Sequence, residues 1–125
     1  MSGNRFRSSN VTPANPVLFI RLYVEVGSMG AALEQAGQLT SILLAVGVCI
    51  SCEVKSYWKI AEYFGIELSL QAAEPDTALE QAKQLLAASW VDATKTPGIC
   101  GVIWDYRMHG PFVLPLARWC NLQLE

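Results

Sequence analysis

Charge is scarce in this chain. Only 16% of its 125 residues are Asp, Glu, Lys or Arg, against 52% hydrophobic residues. That balance excludes a disordered polar chain, which buries too little apolar surface to order itself. The length fits one domain around one core. Basic clusters are missing too. Arg5 and Arg7 sit in the N-terminal tail, and from residue 17 onward seven Lys/Arg stand against eleven Asp/Glu, a net of about −4. Nucleic-acid binding needs the opposite sign concentrated on one face, so no nucleic-acid partner is expected. Long apolar runs are also absent. Ile42–Ile50 (ILLAVGVCI) falls well short of the roughly twenty residues that span a bilayer, so no membrane partner is expected. The first residues lack the apolar block of a signal peptide, and the expected location is cytoplasmic. There, the four cysteines Cys49, Cys52, Cys100 and Cys120 read as buried thiols.

What the chain does hold is clear periodicity. Met1–Pro16 is polar and aperiodic and reads as a flexible lead-in; residues 17–125 read as a single α+β domain. Val17–Val26 alternates strictly, with Leu18, Ile20, Leu22, Val24 and Val26 on one face. Phe19, Arg21, Tyr23 and Glu25 make a half-apolar opposite face. That pattern predicts a central strand whose outer side is partly covered. Ser28 is a helix cap, and helical spacing from Met29 predicts a helix to about Val46. A strand is assigned to Cys52–Ile60 over the competing helical pattern, and another to Ile66–Leu70. Pro75 and Asp76 open a second helix, with Thr77 and Glu80 at capping-box spacing and a stripe running through Trp90 to about Val91. A turn at Lys95–Gly98 leads to alternating Val102–His109 (VIWDYRMH) and then to a last strand, Arg118–Leu124. In the first of these Val102, Trp104 and Tyr106 are expected to face the core, leaving Asp105 and Arg107 outward.

The predicted order is therefore β-α-β-β-α-β-β. It corresponds to a mixed or antiparallel sheet of about five strands with two helices on one face, a ferredoxin-like (split βαβ) variant. Ala32–Leu39 (ALEQAGQL) and Ala78–Leu85 (ALEQAKQL) agree at seven of eight positions, 46 residues apart. Either a strand–helix unit is duplicated, or two helices have drawn on the same common helix formers.

Motifs for chemistry are thin. Cys49-Ile50-Ser51-Cys52 has CxxC spacing but follows a helix rather than opening one, which leaves no dipole to stabilise a thiolate. Cys100, Cys120 and His109 complete a zinc site only if the fold gathers them, so no metal and no cofactor is assigned. Cys100 and Cys120 are placed to face each other across the C-terminal hairpin. Gly27-Ser28-Met29-Gly30 lacks the third glycine and the lysine of a phosphate loop. Asp105 and His109, four apart on a strand, stand roughly 13 Å from each other unless a turn closes the gap. No nucleophile accompanies them, and no catalytic residue is assigned.

Aromatics interleaved with carboxylates remain as the candidate surface, in the manner of interface anchors. The expected partner-binding residues are Glu53, Tyr57, Glu62, Tyr63, Glu67, Asp105, Arg107, His109 and Trp119, beside the Pro-rich Gly110–Pro115 loop. In size, mild acidity, aromatic content and element order the chain resembles the small cytoplasmic immunity proteins of bacterial toxin–immunity systems of the contact-dependent inhibition type. The resemblance rests on overall build and transfers no individual residue. It implies a non-enzymatic inhibitor that binds a cognate toxin domain directly, without a cofactor. The alternative is a small dimeric α+β ligand-binding protein or enzyme with a pocket near Cys100, Asp105 and His109. An open sheet edge leaves room for a homodimer under either reading.

Overall fold

The first strand settles the architecture, because its alternation forces one side into a core and leaves the other out. The computed structural model describes residues 17–93 and 98–125; the expected lead-in over 1–16 and most of the Lys95–Gly98 turn lie outside them. In the described residues the chain runs β1 (Val17–Glu25), α1 (Met29–Ile42), β2 (Val48–Ser56), β3 (Tyr63–Gln71), α2 (Pro75–Leu86), β4 (Val91–Asp92), β5 (Val102–Asp105) and β6 (Ala117–Leu124). These strands make one sheet in the order β2-β3-β1-β6-β5-β4, with every neighbouring pair antiparallel. The sheet is open, with β2 at one edge and the two-residue β4 at the other.

Leu18, Ile20, Leu22 and Val24 of β1 are buried and share one core with Ile66, Leu68 and Leu70 of β3, Cys120 and Leu122 of β6, and both helices. Each fully buried Leu or Ile contributes roughly 1.5–3 kcal/mol. α1 turns Ala32, Ala36 and Leu39 inward, and α2 turns Ala78, Ala82 and Leu86 inward. The opposite side of the sheet, with Arg21, Tyr23 and Glu67, carries no helix among the described residues. The two helices lie on one face as the sequence predicts. A sixth strand, β4, stands where the helical stripe predicts the end of the second helix.

The helix ends follow from local chemistry. Ser28 caps α1 as expected, its Oγ accepting from the Ala31 amide at 3.1 Å. The expected run to Val46 stops at Ile42 and tightens into a 3₁₀ turn over Leu43–Ala45. Gly47 then passes so close to β3 that a Cβ would meet the Gln71 carbonyl oxygen at 2.7 Å. In α2, Pro75 is the first helical residue and Glu74 the cap. Thr77 therefore lies inside the first turn, donating to Glu74 at 3.5 Å, and Glu80 pairs with Lys83 instead of closing a capping box. Trp90 does not extend the helical stripe. Its indole Nε1–H folds back to donate to the Lys83 and Ala87 carbonyls at 3.1 and 3.0 Å, fastening the segment after α2 onto the helix end, where the Ala87 amide also reaches the Lys83 carbonyl.

Strand bounds shift, each for a local reason. The predicted Cys52–Ile60 strand is Val48–Ser56, because residues 57–62 form the hairpin turn: Tyr57 N–H donates to the Tyr63 carbonyl at 2.8 Å, and Tyr63 N–H to that of Ile60 at 3.1 Å. Ile66–Leu70 lengthens to Tyr63–Gln71, and Arg118–Leu124 gains Ala117. The Val102–His109 strand ends at Asp105. There the carbonyl of Asp105 accepts from the amides of both Met108 and His109, and the chain turns. Tyr106 is consequently exposed instead of core-facing, while Trp104 is fully buried against Phe112.

The 46-residue offset of the ALEQA repeat also relates β1 to β3 and the start of α1 to that of α2. Arg21 and Glu67, equivalent under that offset, are direct partners in the β1–β3 register and form an ion pair at 3.1 Å.

Candidate functional site on the open sheet face

Register determines what the uncovered face displays. Across β1, β3 and β6 it aligns Arg21 with Glu67 and Asn121, and Tyr23 with Gly65 and Trp119. Gly65 has a physical role here: a Cβ would stand 3.1 Å from Tyr23 Cε1, so a side chain there would press on that ring, which lies down on β3. Tyr57, just past the end of β2, packs on Tyr23 with ring centroids 4.6 Å apart. Trp119 flanks Tyr23 on the other side at 5.5 Å. Burial pushes the Tyr23 phenol above its ordinary pKa, and Tyr57 adds to that shift, so Tyr23 presents a neutral hydroxyl.

Two adjoining cavities open over this aromatic row. The first, about 320 Å³, is lined by Arg21, Tyr23, Lys55, Ser56, Tyr57, Trp58, Gly65 and Glu67. The second, about 420 Å³, shares Arg21, Tyr23 and Tyr57 with it and adds Ile60, Tyr63, Ile99, Arg107 and Trp119. Ile99 reaches the sheet because Asn121, buried on this face, donates from Nδ2 to the Cys100 and Val102 carbonyls at 2.8 and 3.0 Å and pins the incoming segment. Gly101 makes that crossing at φ +81°, where a Cβ would collide with the Leu122 carbonyl oxygen. Trp58 stands at the rim, 83% exposed, with Lys59 Nζ 5.1 Å from its ring centroid.

The expected binding residues sort by this geometry. Tyr57, Tyr63, Glu67, Arg107 and Trp119 all line the two cavities. Glu53 is exposed on the same face of β2, opposite Glu67. Glu62 is exposed in the 57–62 turn, its carbonyl held by the Val26 amide at 2.9 Å. Asp105 and His109 serve the turn. Asp105 accepts from the Arg107 amide at 2.9 Å and takes its guanidinium in a two-point pair at 3.1 and 2.9 Å. His109 Nδ1 accepts from the Asp105 amide at 2.9 Å. The turn thus closes the 13 Å gap that an unbroken strand would impose, and it joins the two residues through the backbone instead of carboxylate to imidazole. The bond from Arg107 holds the Asp105 carboxyl below the usual carboxylate range, against the opposing effect of its burial. Asp105 is thus buried and already paired, and does not stand outward for recognition as expected; Arg107 remains exposed.

Arg21, Tyr23, Lys55, Trp58, Ile60, Gly65 and Ile99 complete the site and are not among the expected residues. A signal for two of them is present: an arginine and a tyrosine on the outer face of an otherwise apolar central strand mark a sheet side that no helix covers. Burial first, then the neighbouring Tyr106, raises the Tyr63 pKa. Arg118 lies over the Tyr106 ring at 5.0 Å and pairs with Glu25 at 2.8 Å, closing this end of the face. The Gly110–Pro115 loop is not a free recognition loop. Phe112 and Leu114 are buried, and the Val113 amide donates to Leu86 at the end of α2.

All four cysteines are free thiols, but only Cys120 is buried as expected; Cys49 is half-buried, and Cys52 and Cys100 are exposed. β2 lies at the sheet edge, and Cys100 precedes β5 in the incoming segment, so neither element is enclosed. Cys120 pairs in register with Trp104, so it does not face Cys100, and complete burial pushes its pKa far up. Cys52 is also raised, by burial and then by Cys49. A raised thiol pKa is the reverse of what a nucleophile needs. Among the described residues no group of three or more His, Cys, Asp or Glu is placed to hold a metal ion. No helix there is long and apolar enough to cross a membrane. The chain matches no protein-family model, no curated protein and no solved structure.

Proposed function

We propose that this chain is a protein-binding inhibitor, an immunity protein that neutralises a cognate bacterial toxin domain by seating it non-covalently on the open face of the sheet. One observation carries the reading: two cavities share Arg21, Tyr23 and Tyr57 on a helix-free face, with exposed Trp58 at the rim. Aromatic rings and arginines in partly desolvated pockets are where protein interfaces concentrate their energy. Glu53 and Glu62 stand beside Lys55, Lys59 and Arg107, so the surface offers charges of both signs around its aromatic centre. The reading assigns no catalytic step and no cofactor, and it places the protein in the cytoplasm.

The fold reading that accompanies it is a ferredoxin-like variant. β1-α1-β2-β3-α2-β6 form the split βαβ core, with β4 and β5 added beyond β6. The matched offset of repeat, strands and helices supports a duplicated strand–helix unit. The uncovered β2 edge leaves room for a homodimer.

The test is protection. The protein is co-produced with the toxin-like product of the neighbouring reading frame, and growth is compared for wild type, Trp58→Ala and Tyr57→Ala. Protection by wild type that weakens in the two variants agrees with the proposal. A neighbour that binds wild type and both variants equally would remove the sheet face from consideration.

A further inference from the structure

The edge strand β2 carries a charge pattern with a consequence for self-association. Nine residues long, it has no strand on its outer side among the described residues. The parity of its hydrogen bonds follows from the turn. Tyr57 N–H donates to Tyr63 across the β2–β3 register, so Tyr57, Lys55 and Glu53 direct their backbone groups to β3. Val26 N–H donating to Glu62 fixes the opposite parity on the β1 side of β3, in agreement. Cys52, Val54 and Ser56 therefore present free N–H and C=O groups outward.

Glu53 and Lys55 lie two apart on the open face, both exposed, and neither has an ion pair among the described residues. An exposed charge usually protects an edge strand from self-pairing. This pair does so in some registers and not in another. In an antiparallel pairing of two copies the outward-pointing residues must bond to each other. Centring the pair on Glu53 opposes two glutamates, and centring it on Lys55 opposes two lysines. Centring it on Val54 sets Glu53 against Lys55 of the second copy twice, in the non-hydrogen-bonded positions where side chains approach most closely. The same register carries exposed Ile50 of one copy towards exposed Trp58 of the other.

We infer that β2 is a homodimerisation edge, pairing antiparallel with a second copy about a two-fold axis at Val54 through reciprocal Glu53–Lys55 contacts. This deepens the open-edge homodimer of the proposed function and does not depend on which face seats a toxin. Such an interface is isologous, and it joins two six-stranded sheets into one continuous sheet with both aromatic faces on the same side.

The test is sedimentation equilibrium of the full chain over roughly 1 μM to 1 mM, for wild type, Glu53→Lys, Lys55→Glu and the double exchange. Wild type is expected to show a monomer–dimer equilibrium. Each single reversal turns two attractive contacts repulsive and weakens dimerisation by about tenfold or more. The double exchange restores it to within about threefold. Glu53→Lys places its lysine opposite Glu67, so loss of fold does not explain its effect, and circular dichroism confirms that. A wild type that stays monomeric throughout overturns the inference, as does a dimer indifferent to the single reversals. Either result leaves toxin binding at the sheet face separately measurable by titration of wild type and Tyr57→Ala, which keep Glu53 and Lys55 unchanged.

Discussion

Asp105 does three jobs with one carboxylate and its own backbone: it ends β5, caps the Arg107 amide and holds the Arg107 side chain beside the second cavity. Its pKa is depressed in the folded protein, so its stabilisation is present above the ordinary value of 3.8 and is lost as pH falls through the lower folded value. Asp105→Asn should therefore be less stable than wild type at neutral pH, by roughly 1 kcal/mol for the weakened turn hydrogen bonds. The two should converge at an acidic pH below that lowered folded value, where the wild-type carboxyl is also neutral. Urea denaturation at both pH values checks this, and an equal gap at both would refute it. Gly101 gives a larger effect. With φ +81° and the Leu122 carbonyl in the way, Gly101→Ala should cost about 2 kcal/mol or more and free the segment that carries Ile99. Thermal unfolding measures the first effect and amide exchange at Val102 the second. Neither role is readable from residue type alone. Tyr106 and Met108 continue the alternation of Val102–Asp105, and only the hydrogen bonds accepted by Asp105 show that the strand has stopped.

Helix α2 and strand β1 show where sequence patterns carry far and where they fail. The strict period of two in β1 places it centrally and separates the core positions Ile20 and Leu22 from Arg21 and Tyr23. Both core residues are buried as that period requires. Trp90 fits a helical stripe by spacing, yet it folds back over the end of α2, where its indole N–H adds a second donor to the Lys83 carbonyl and reaches that of Ala87. Trp90→Phe keeps the ring and removes that donor, so it should cost about 1 kcal/mol and raise amide exchange in the last turn of α2 while leaving β1 protected. Unchanged exchange there would refute the capping role. The ALEQA repeat is legible as a repeat, but its faces are not identical. Leu39 is buried while its counterpart Leu85 is exposed, and Leu86 takes the inward place. The 57–62 turn is hidden in the sequence because Tyr57, Trp58 and Ile60 are good strand formers, and a turn built from them is stabilised by tertiary contacts such as Tyr57 on Tyr23.

The whole molecule is a sheet with one side committed to its core and the other left aromatic, polar and open. The element order apart from β4, and the two helices, are legible in the sequence, since period two and period 3.6 alternate along it; two residues are too few for β4 to show a period. The site is only partly so. Tyr57, Tyr63, Glu67, Arg107 and Trp119 follow from composition, and the outer face of β1 marks Arg21 and Tyr23, whereas Gly65 joins them only through register, which no single segment encodes. Gly65→Ala should test that dependence: its Cβ displaces the Tyr23 ring and should weaken partner binding by about tenfold with a smaller effect on stability. The most direct measurement is calorimetric titration of the purified toxin-like product of the neighbouring reading frame, the proposed partner, with wild type, with the Tyr57→Ala/Trp58→Ala double variant, and with Leu33→Ala on the exposed side of α1. Trp58 is largely exposed in the free protein, so its loss should leave the fold intact. The account predicts at least about a thirtyfold loss of affinity for the double variant and none for Leu33→Ala. Undiminished binding by the double variant, or loss confined to Leu33→Ala, would contradict it.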